Sequence, residues 1–203
     1  MALDFDGGDE DNIVYGNYVT MHGNGGNDQL GSNATVFTQI YGGADNDGVY
    51  YYGPSTSALY GEAGDDSIYG GSLGDKIFGG SGDDWMFGGL GKDIFKSGGG
   101  ADHIGFDSVP NSDTNRDVIK DFNPKKDILN FVPSIYTVGV SGATLLKSQF
   151  QKGAGPNDAD DFFGYDKKTG IVWYDPNGDQ DGGFVEVAKL SKDLHLTYHQ
   201  FQF

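Results

Sequence analysis

Aspartate recurs every nine residues through the middle of the chain, at Asp66, Asp75, Asp84, Asp93 and Asp102. A glycine-rich stretch precedes each one, and a large apolar residue follows two positions later: Ile68, Ile77, Met86, Phe95 and Ile104. A short carboxylate set in a tight glycine turn, beside backbone carbonyls freed by that turn, is an oxygen-rich site for a hard cation. Every candidate donor is oxygen. The chain has no cysteine and only four histidines, which do not cluster, so zinc chemistry is disfavoured. Magnesium demands a rigid octahedron and keeps its waters, so carbonyl-rich loops suit calcium better. The composition agrees: of 30 acidic residues only Glu10, Glu62 and Glu186 are glutamate, and aspartate is the one that favours turns.

The elements that must position these aspartates follow from the period. Residues 61–105 divide into GEAGDDSIY, GGSLGDKIF, GGSGDDWMF, GGLGKDIFK and SGGGADHIG, sharing the pattern GGxGxDxUx with U apolar. GGxGxD is a turn and xUx a very short strand with one side chain inward. Two turns and two strands make one coil of about 18 residues, so each edge of the solenoid takes its turns from every second repeat. A single repeat cannot bury its apolar residue, so stacking is obligatory. The fold class is therefore all-β, a parallel β-roll. Upstream, GNGGNDQLG at 23–31 and GGADNDGVY at 42–50 are recognisable copies, and GGDEDNIVY at 7–15 is a weak one with Asn12 in the aspartate position. Edge one carries turns beginning at 7, 23, 42, 61, 79 and 97; edge two has full turns only at 70 and 88.

These repeats resemble the RTX (repeats-in-toxin) family of secreted bacterial proteins over roughly 7–105. The resemblance implies a right-handed parallel β-roll with calcium between same-edge turns. Each ion would take the second and fourth carbonyls of one turn, the first and third of the next, and both sixth-position aspartates. One site would use Glu62, Gly64 and Asp66 with Gly79, Ser81 and Asp84. The next would use Gly80, Gly82 and Asp84 with Ser97, Gly99 and Asp102. Edge two would use Gly71, Leu73 and Asp75 with Gly88, Leu90 and Asp93. Further pairs, Asp47 with Asp66 (through Gly43, Asp45, Gly61 and Ala63) and Asp28 with Asp47, are spaced 19 rather than 18 apart. About five or six calcium ions are expected in all.

Residues 113–131, DTNRDVIKDFNPKKDILNF, resemble the segment following the roll in serralysin-type metalloproteases, with Asp117, Asp121 and Asp127 at its acidic positions. A helical or turn cap is expected there, with Asp121 as an extra ligand. Residues 162–190 suggest paired β-hairpins turning at KKTG and DPNGDQDGG. The second loop places Asp175, Asn177, Asp179 and Asp181 like the start of an EF-hand, or it is simply a polar turn. Residues 1–106 are expected to form the calcium-binding roll and 107–203 a cap ending in a type I secretion signal, LHLTYHQFQF. His195 and His199 lack the glutamate and third ligand of a zinc helix, and a structural role is expected.

The net charge of −17 excludes a nucleic-acid partner. The first residues, MALDFDGGDEDN, do not read as a signal peptide, and no stretch of the sequence is expected to be long and apolar enough to cross a membrane. No nucleophile–base motif, P-loop or dinucleotide fingerprint appears, so the chain is expected to be non-catalytic. Tyr60, Tyr69, Phe78 and Phe87, with Trp85 and the run Tyr50, Tyr51 and Tyr52, are expected to point outward, either to stack on sugar or to pack beneath the cap. The expected function is a secreted, extracellular calcium-folded module of a larger exported protein, its partners being calcium and the type I secretion machinery. The alternative is a polysaccharide- or cell-surface-binding module. The start at Met1-Ala2, already close to a repeat, suggests excision from a longer chain.

Overall fold

The computed structural model describes residues 3–137, 144–178 and 183–203. Each xUx becomes a short strand. In order these are β1 (Asp4–Asp6), β2 (Ile13–Gly16), β3 (Thr20–Asn24), β4 (Gln29–Ser32), β5 (Thr38–Ala44), β6 (Gly48–Tyr51) and β7 (Ser57–Ala63). Then come β8 (Ser67–Tyr69), β9 (Lys76–Ser81), β10 (Trp85–Phe87), β11 (Ile94–Gly99), β12 (His103–Phe106), β13 (Asp117–Ile119) and β14 (Ile128–Phe131). The chain alternates between two sheets. Odd strands β1 to β13 pair in parallel in one sheet and even strands β2 to β14 in the other, each strand bonded to the one a full coil away. This is the parallel β-roll expected from the repeat.

Between the sheets lies a single file of apolar side chains from each. Leu59, Ile77 and Phe95 sit in register in one sheet, and Ile68, Met86, Ile104 and Leu129 in the other. Ile68, Ile77, Met86, Phe95 and Ile104 are the U residues of the five in-phase repeats; they, Leu59 and Leu129, and Met21, Leu30, Ile40 and Val49 upstream, are all fully buried. Since each rung touches only its neighbours, a cavity at one rung weakens two interfaces. Replacing Ile77 with alanine in the calcium-loaded protein is expected to cost about 3 kcal/mol, read as a lower urea midpoint.

The nine-residue period ends after Ile104, but the coil does not. β13 and β14 add one more coil, entered through longer loops: Ile94 pairs with Val118 and His103 with Ile128. The segment expected as a helical or turn cap is therefore turn and strand. The rest of the chain closes the open end. β15 (Phe150–Gln151), β16 (Phe163–Asp166), β17 (Ile171–Tyr174) and β18 (Val185–Lys189) extend the first sheet, with β18 laid parallel on β13. β19 (Phe201–Gln202) lies parallel on β14 in the second sheet. β16–β17 and β17–β18 are the two antiparallel hairpin pairs read from the sequence. Aromatic rings fill this end: Phe131, Phe163 and Phe201 are buried with centroids 4.5–5.8 Å apart. Asp179 and Asp181, named above as loop ligands, lie outside the described residues.

Candidate metal centres

The aspartates form two ladders. On edge one the backbone N–H of each sixth-position residue donates to Oδ1 of the next aspartate along the roll: Asn12 to Asp28 (2.7 Å), Asp28 to Asp47 (2.8 Å) and Asp47 to Asp66 (2.8 Å). The series continues Asp66 to Asp84 (3.0 Å), Asp84 to Asp102 (3.1 Å) and Asp102 to Asp127 (3.3 Å). On edge two Ser57 donates to Asp75 (2.5 Å), Asp75 to Asp93 (2.7 Å) and Asp93 to Asp117 (3.0 Å). The 19-residue coils do not disturb edge one. Tyr50 pairs with Tyr69 but Ala58 with Lys76, so the extra residue sits in the edge-two loop between them.

Each ladder bond uses only Oδ1. The other oxygen, Oδ2, is buried and without a hydrogen-bond partner at Asp28, Asp47, Asp66, Asp84, Asp93 and Asp102. A buried unpaired carboxylate oxygen is costly, and repeating it at successive rungs needs a repeated cause. The surroundings of these atoms supply one. The first glycine of each turn faces Oδ2 of its own turn and the first carbonyl of the next. A Cβ built on Gly42 would lie 2.5 Å from Asp47 Oδ2 and 2.8 Å from Gly61 O, and one on Gly23 would meet both Asp28 Oδ2 and Gly42 O; on edge two Gly70 faces Gly88 O and Asp75 Oδ2, the latter already accepting Gly71 N–H at 2.8 Å. Gly61 likewise faces Asp66 Oδ2 and Gly79 O, and Gly79 faces Asp84 Oδ2 and Ser97 O. Glycine is required here because a methyl group would fill the space between the oxygens.

The other named residues sit around the same spaces. In the turns opening at 23, 42, 61, 79, 88 and 97 the second and fourth positions have positive φ, including Gly43 (125°), Gly80 (125°), Gly64 (136°) and Gly82 (125°), and even Glu62 (81°) and Asp45 (75°); Gly71 and Leu73, in the turn opening at 70, do not. That twist stacks carbonyls along the edge: Glu62 O lies under Gly80, Gly64 O under Gly82, Asp45 O under Gly64 and Gly71 O under Gly89. Ser81 O accepts from Gly64 N–H at 2.8 Å and Gly99 O from Gly82 N–H at 2.9 Å, which leaves each a second lone pair. Ala63 pairs with Ser81 across β7–β9. Leu73 and Leu90 form exposed turn tips on edge two. Ser97 replaces the first glycine of its turn and gives its N–H to Asp121 Oδ1 at 2.9 Å. Asp121 therefore closes the last edge-one turn from outside the ladder.

Burial raises the carboxyl pKa values in the metal-free geometry: Asp47, Asp84 and Asp93 to about 7 and Asp66 to about 6. Asp75, Asp102, Asp117 and Asp127 are raised for the same first reason. Neighbouring carboxylates add to the rise, Asp66 and Asp28 beside Asp47 and Asp75 and Asp107 beside Asp93. No cation from the protein relieves this. Among the described residues the sole ion pair is Arg116–Glu186, which ties β18 to the approach to β13. Nor, among them, do three or more His, Cys, Asp or Glu side chains gather into a metal site. The donor set is two carboxylates plus backbone carbonyls, all hard oxygens, which suits calcium.

Two things went unread in the sequence. Asp117 and Asp127 are ladder members, and the signal was present: Asp117-Val118-Ile119 and Asp127-Ile128-Leu129 repeat the D-x-U of the nonapeptide. The second is a plug. Tyr51, expected outward, is fully buried because strand alternation turns it to the side of Val49. Its hydroxyl donates to Ala34 O (2.8 Å) and accepts from Ser55 N–H (3.2 Å). On the part of edge two where the aspartates are missing, a phenol links neighbouring loops. Tyr51→Phe is expected to lower stability by about 1–2 kcal/mol in a denaturant titration while leaving bound calcium unchanged.

The remaining aromatics do point outward, yet they stack on one another: Tyr41, Tyr60 and Phe78 at 4.5 and 4.7 Å, and Tyr50, Tyr69 and Phe87 at 5.4 and 5.0 Å. The faces of these stacked rings are thus largely covered, whereas Trp85 and Tyr52 stay exposed. His195 borders a cleft of about 480 Å³ with Lys152, Tyr165, Lys167 and Lys168, and His199 lies tilted against Tyr198, with ring centroids 4.0 Å apart.

Stacked glycine–aspartate turns with an orphaned carboxylate oxygen at successive steps define a cation-binding repeat β-roll. Residues 58–75 and 69–104 match the family model of the RTX calcium-binding nonapeptide repeat, and the chain carries these repeats. Among solved structures, the solution structure of the AlgE6R3 subunit of the Azotobacter vinelandii mannuronan C5-epimerase aligns over 97% of this chain and 80% of that one, at 20% identity and a TM-score of 0.26. A search of curated proteins found no match. No helix among the described residues is long and apolar enough to cross a membrane.

Proposed function

We propose that this chain is a calcium-operated folding module of an exported protein, with 1–106 as its main metal-bearing part and 107–203 as the cap, whose first coil, β13 and β14, carries the ladder one step further. The observation that carries this is the row of orphaned Oδ2 atoms. Asp28 with Asp47, Asp47 with Asp66, Asp66 with Asp84 and Asp84 with Asp102 would hold ions on edge one, and Asp75 with Asp93 on edge two, joined by the turn carbonyls named above. The ladder ends Asp117 and Asp127 extend each series by one, and Asp121 shields the last edge-one turn. Calcium, when bound, supplies the positive charge that lets buried carboxylates face one another. The chain's own residues do the rest: glycines keep the cradle open, Oδ1 atoms set the register, and the apolar file joins the sheets.

Calcium modules of extracellular type bind at about 10⁻⁴–10⁻³ M, so such a chain stays unfolded where calcium is scarce and folds where it is plentiful. That is the behaviour an unfolded-state exporter needs. The terminal LHLTYHQFQF fits it as well, since Phe201 is buried against β14 once folded and accessible only before. Small-angle scattering tests the folding half: adding millimolar calcium to the chelated chain is expected to contract it, and an unchanged radius would refute it. Coexpression with a type I exporter tests the other half, with release to the medium expected only when the exporter is present.

One observation favours a second reading, a surface-binding module. Trp85 is 43% exposed and stacks on His103 at 4.0 Å, while its other neighbour along the sheet is the small Ser67. One indole face is open to a sugar ring. Binding to a glycan array that is lost in Trp85→Ala would support this.

A further inference from the structure

Seven aspartate Oδ2 atoms are buried and unpartnered among the described residues, and the ladders account for only six. The seventh belongs to Asp175, just beyond the end of β17 in the cap and far in sequence from any repeat. Its side chain is fully buried, and its Oδ1 is engaged by Asn177 N–H at 3.1 Å. The division of labour matches the ladder aspartates: one oxygen holds the backbone and the other has no hydrogen-bond partner.

What lies beside it is a second acidic loop. Asp175 N–H donates to Phe162 O at 2.8 Å, continuing the β16–β17 register outward. This sets residues 175–178 against residues 157–161, Asn-Asp-Ala-Asp-Asp. Gly178, at φ 61°, backs directly onto Ala159 O. The 157–161 loop is wound around its own last carboxylate, since Asp161 Oδ2 accepts from Asn157 N–H (2.8 Å) and Asp158 N–H (3.3 Å), and Asp161 is itself buried. No lysine or arginine pairs with these carboxylates among the described residues. The end of β17 that carries the orphaned Asp175 Oδ2 thus runs alongside a short loop with the buried Asp161 and the exposed Asp158 and Asp160, all hard oxygen donors, although no three acidic side chains gather there among the described residues.

We propose that the cup formed by 157–161 and 175–178 is a calcium site separate from the repeats, with Asp175 its central ligand. It would fasten the two hairpin ends of the cap to each other, as the ladder sites fasten coil to coil. The site does not depend on the ladder, so the two can fail separately.

Trp173, one of two tryptophans, is buried two residues before Asp175. This makes terbium a selective probe. In the full chain carrying Trp85→Phe, excitation at the red edge of the indole band is expected to give terbium luminescence that calcium quenches by competition. Asp175→Asn is expected to abolish that signal and lower bound calcium, measured by equilibrium dialysis, by one ion per chain, with β content by circular dichroism retained. Asp84→Asn is expected to lower bound calcium yet leave the Trp173-sensitised signal intact. Asp161→Asn, the milder change, is expected to weaken terbium binding about tenfold, and it decides the matter if Asp175→Asn does not fold. Unchanged stoichiometry and luminescence in the variant that folds would overturn the proposal.

Discussion

Replacing Asp84 with alanine is expected to raise the calcium concentration needed for half-maximal folding by about tenfold or more, because carboxylate count sets affinity in calcium loops. Asp84 stands in the middle of edge one and serves two turn pairs. Its Oδ1 receives Asp66 N–H at 3.0 Å, its own N–H reaches Asp102 at 3.1 Å, and its Oδ2 faces the cradle under Gly79. Alanine removes a donor from both neighbouring sites and leaves the buried Asp66 N–H unpaired. Asp84→Asn keeps an oxygen for that N–H and loses the charge, so it should fall between wild type and alanine. The neighbouring Asp83 is exposed and receives only Ala101 N–H at its Oδ1, at 2.7 Å. Asp83→Ala should therefore shift the midpoint far less. Circular dichroism during calcium titration reads all three, and an equal shift for Asp83→Ala and Asp84→Ala would remove the ladder from the account.

Acid is expected to act in opposite directions with and without the metal. In the metal-free fold, burial holds Asp47, Asp84 and Asp93 at about 7 and Asp66 at about 6, above the 3.8 of an open chain. A folded state that holds protons more tightly than the unfolded one is penalised at high pH. In chelator, then, the roll is least stable above about pH 7 and regains stability as pH falls through that value toward about 4. With calcium present the carboxylates must be ionised to bind, so protons compete and the calcium midpoint rises as pH falls below about 7. Calcium titrations at about pH 8 and about pH 5.5 should differ by at least about tenfold in midpoint, while chelated samples gain β structure on acidification. Parallel trends in the two conditions would mean that the buried carboxyls are not the metal ligands.

The roll was legible because its period is written in residue types that physics restricts. Only glycine tolerates the gap between an Oδ2 and the next turn's carbonyl, and only a buried apolar residue fits between the sheets. Those two demands, nine residues apart, specify coil, edge and core together. Where the restriction loosened, legibility was lost. The extra residue of the 19-residue coils had no visible address, because edge two upstream of Asp75 has exchanged its aspartates for Thr38 and Ser57 and tolerates insertions. Tyr51 could not be told from Tyr50 and Tyr52 by type; only its place in the strand alternation turns it inward. Asp117 and Asp127 kept the D-x-U pairing but lost the glycines, and the lengthened loops before them hid the spacing. The cup around Asp175 joins two loops distant in sequence, which no local pattern reveals.

The most direct test of the ladder is an anomalous difference map from crystals grown in calcium. Density is expected between the turns of Asp28, Asp47, Asp66, Asp84 and Asp102 on edge one and between Asp75 and Asp93 on edge two, next to each orphaned ladder Oδ2. Empty turns in such crystals, with calcium bound only at scattered surface carboxylates, would contradict it.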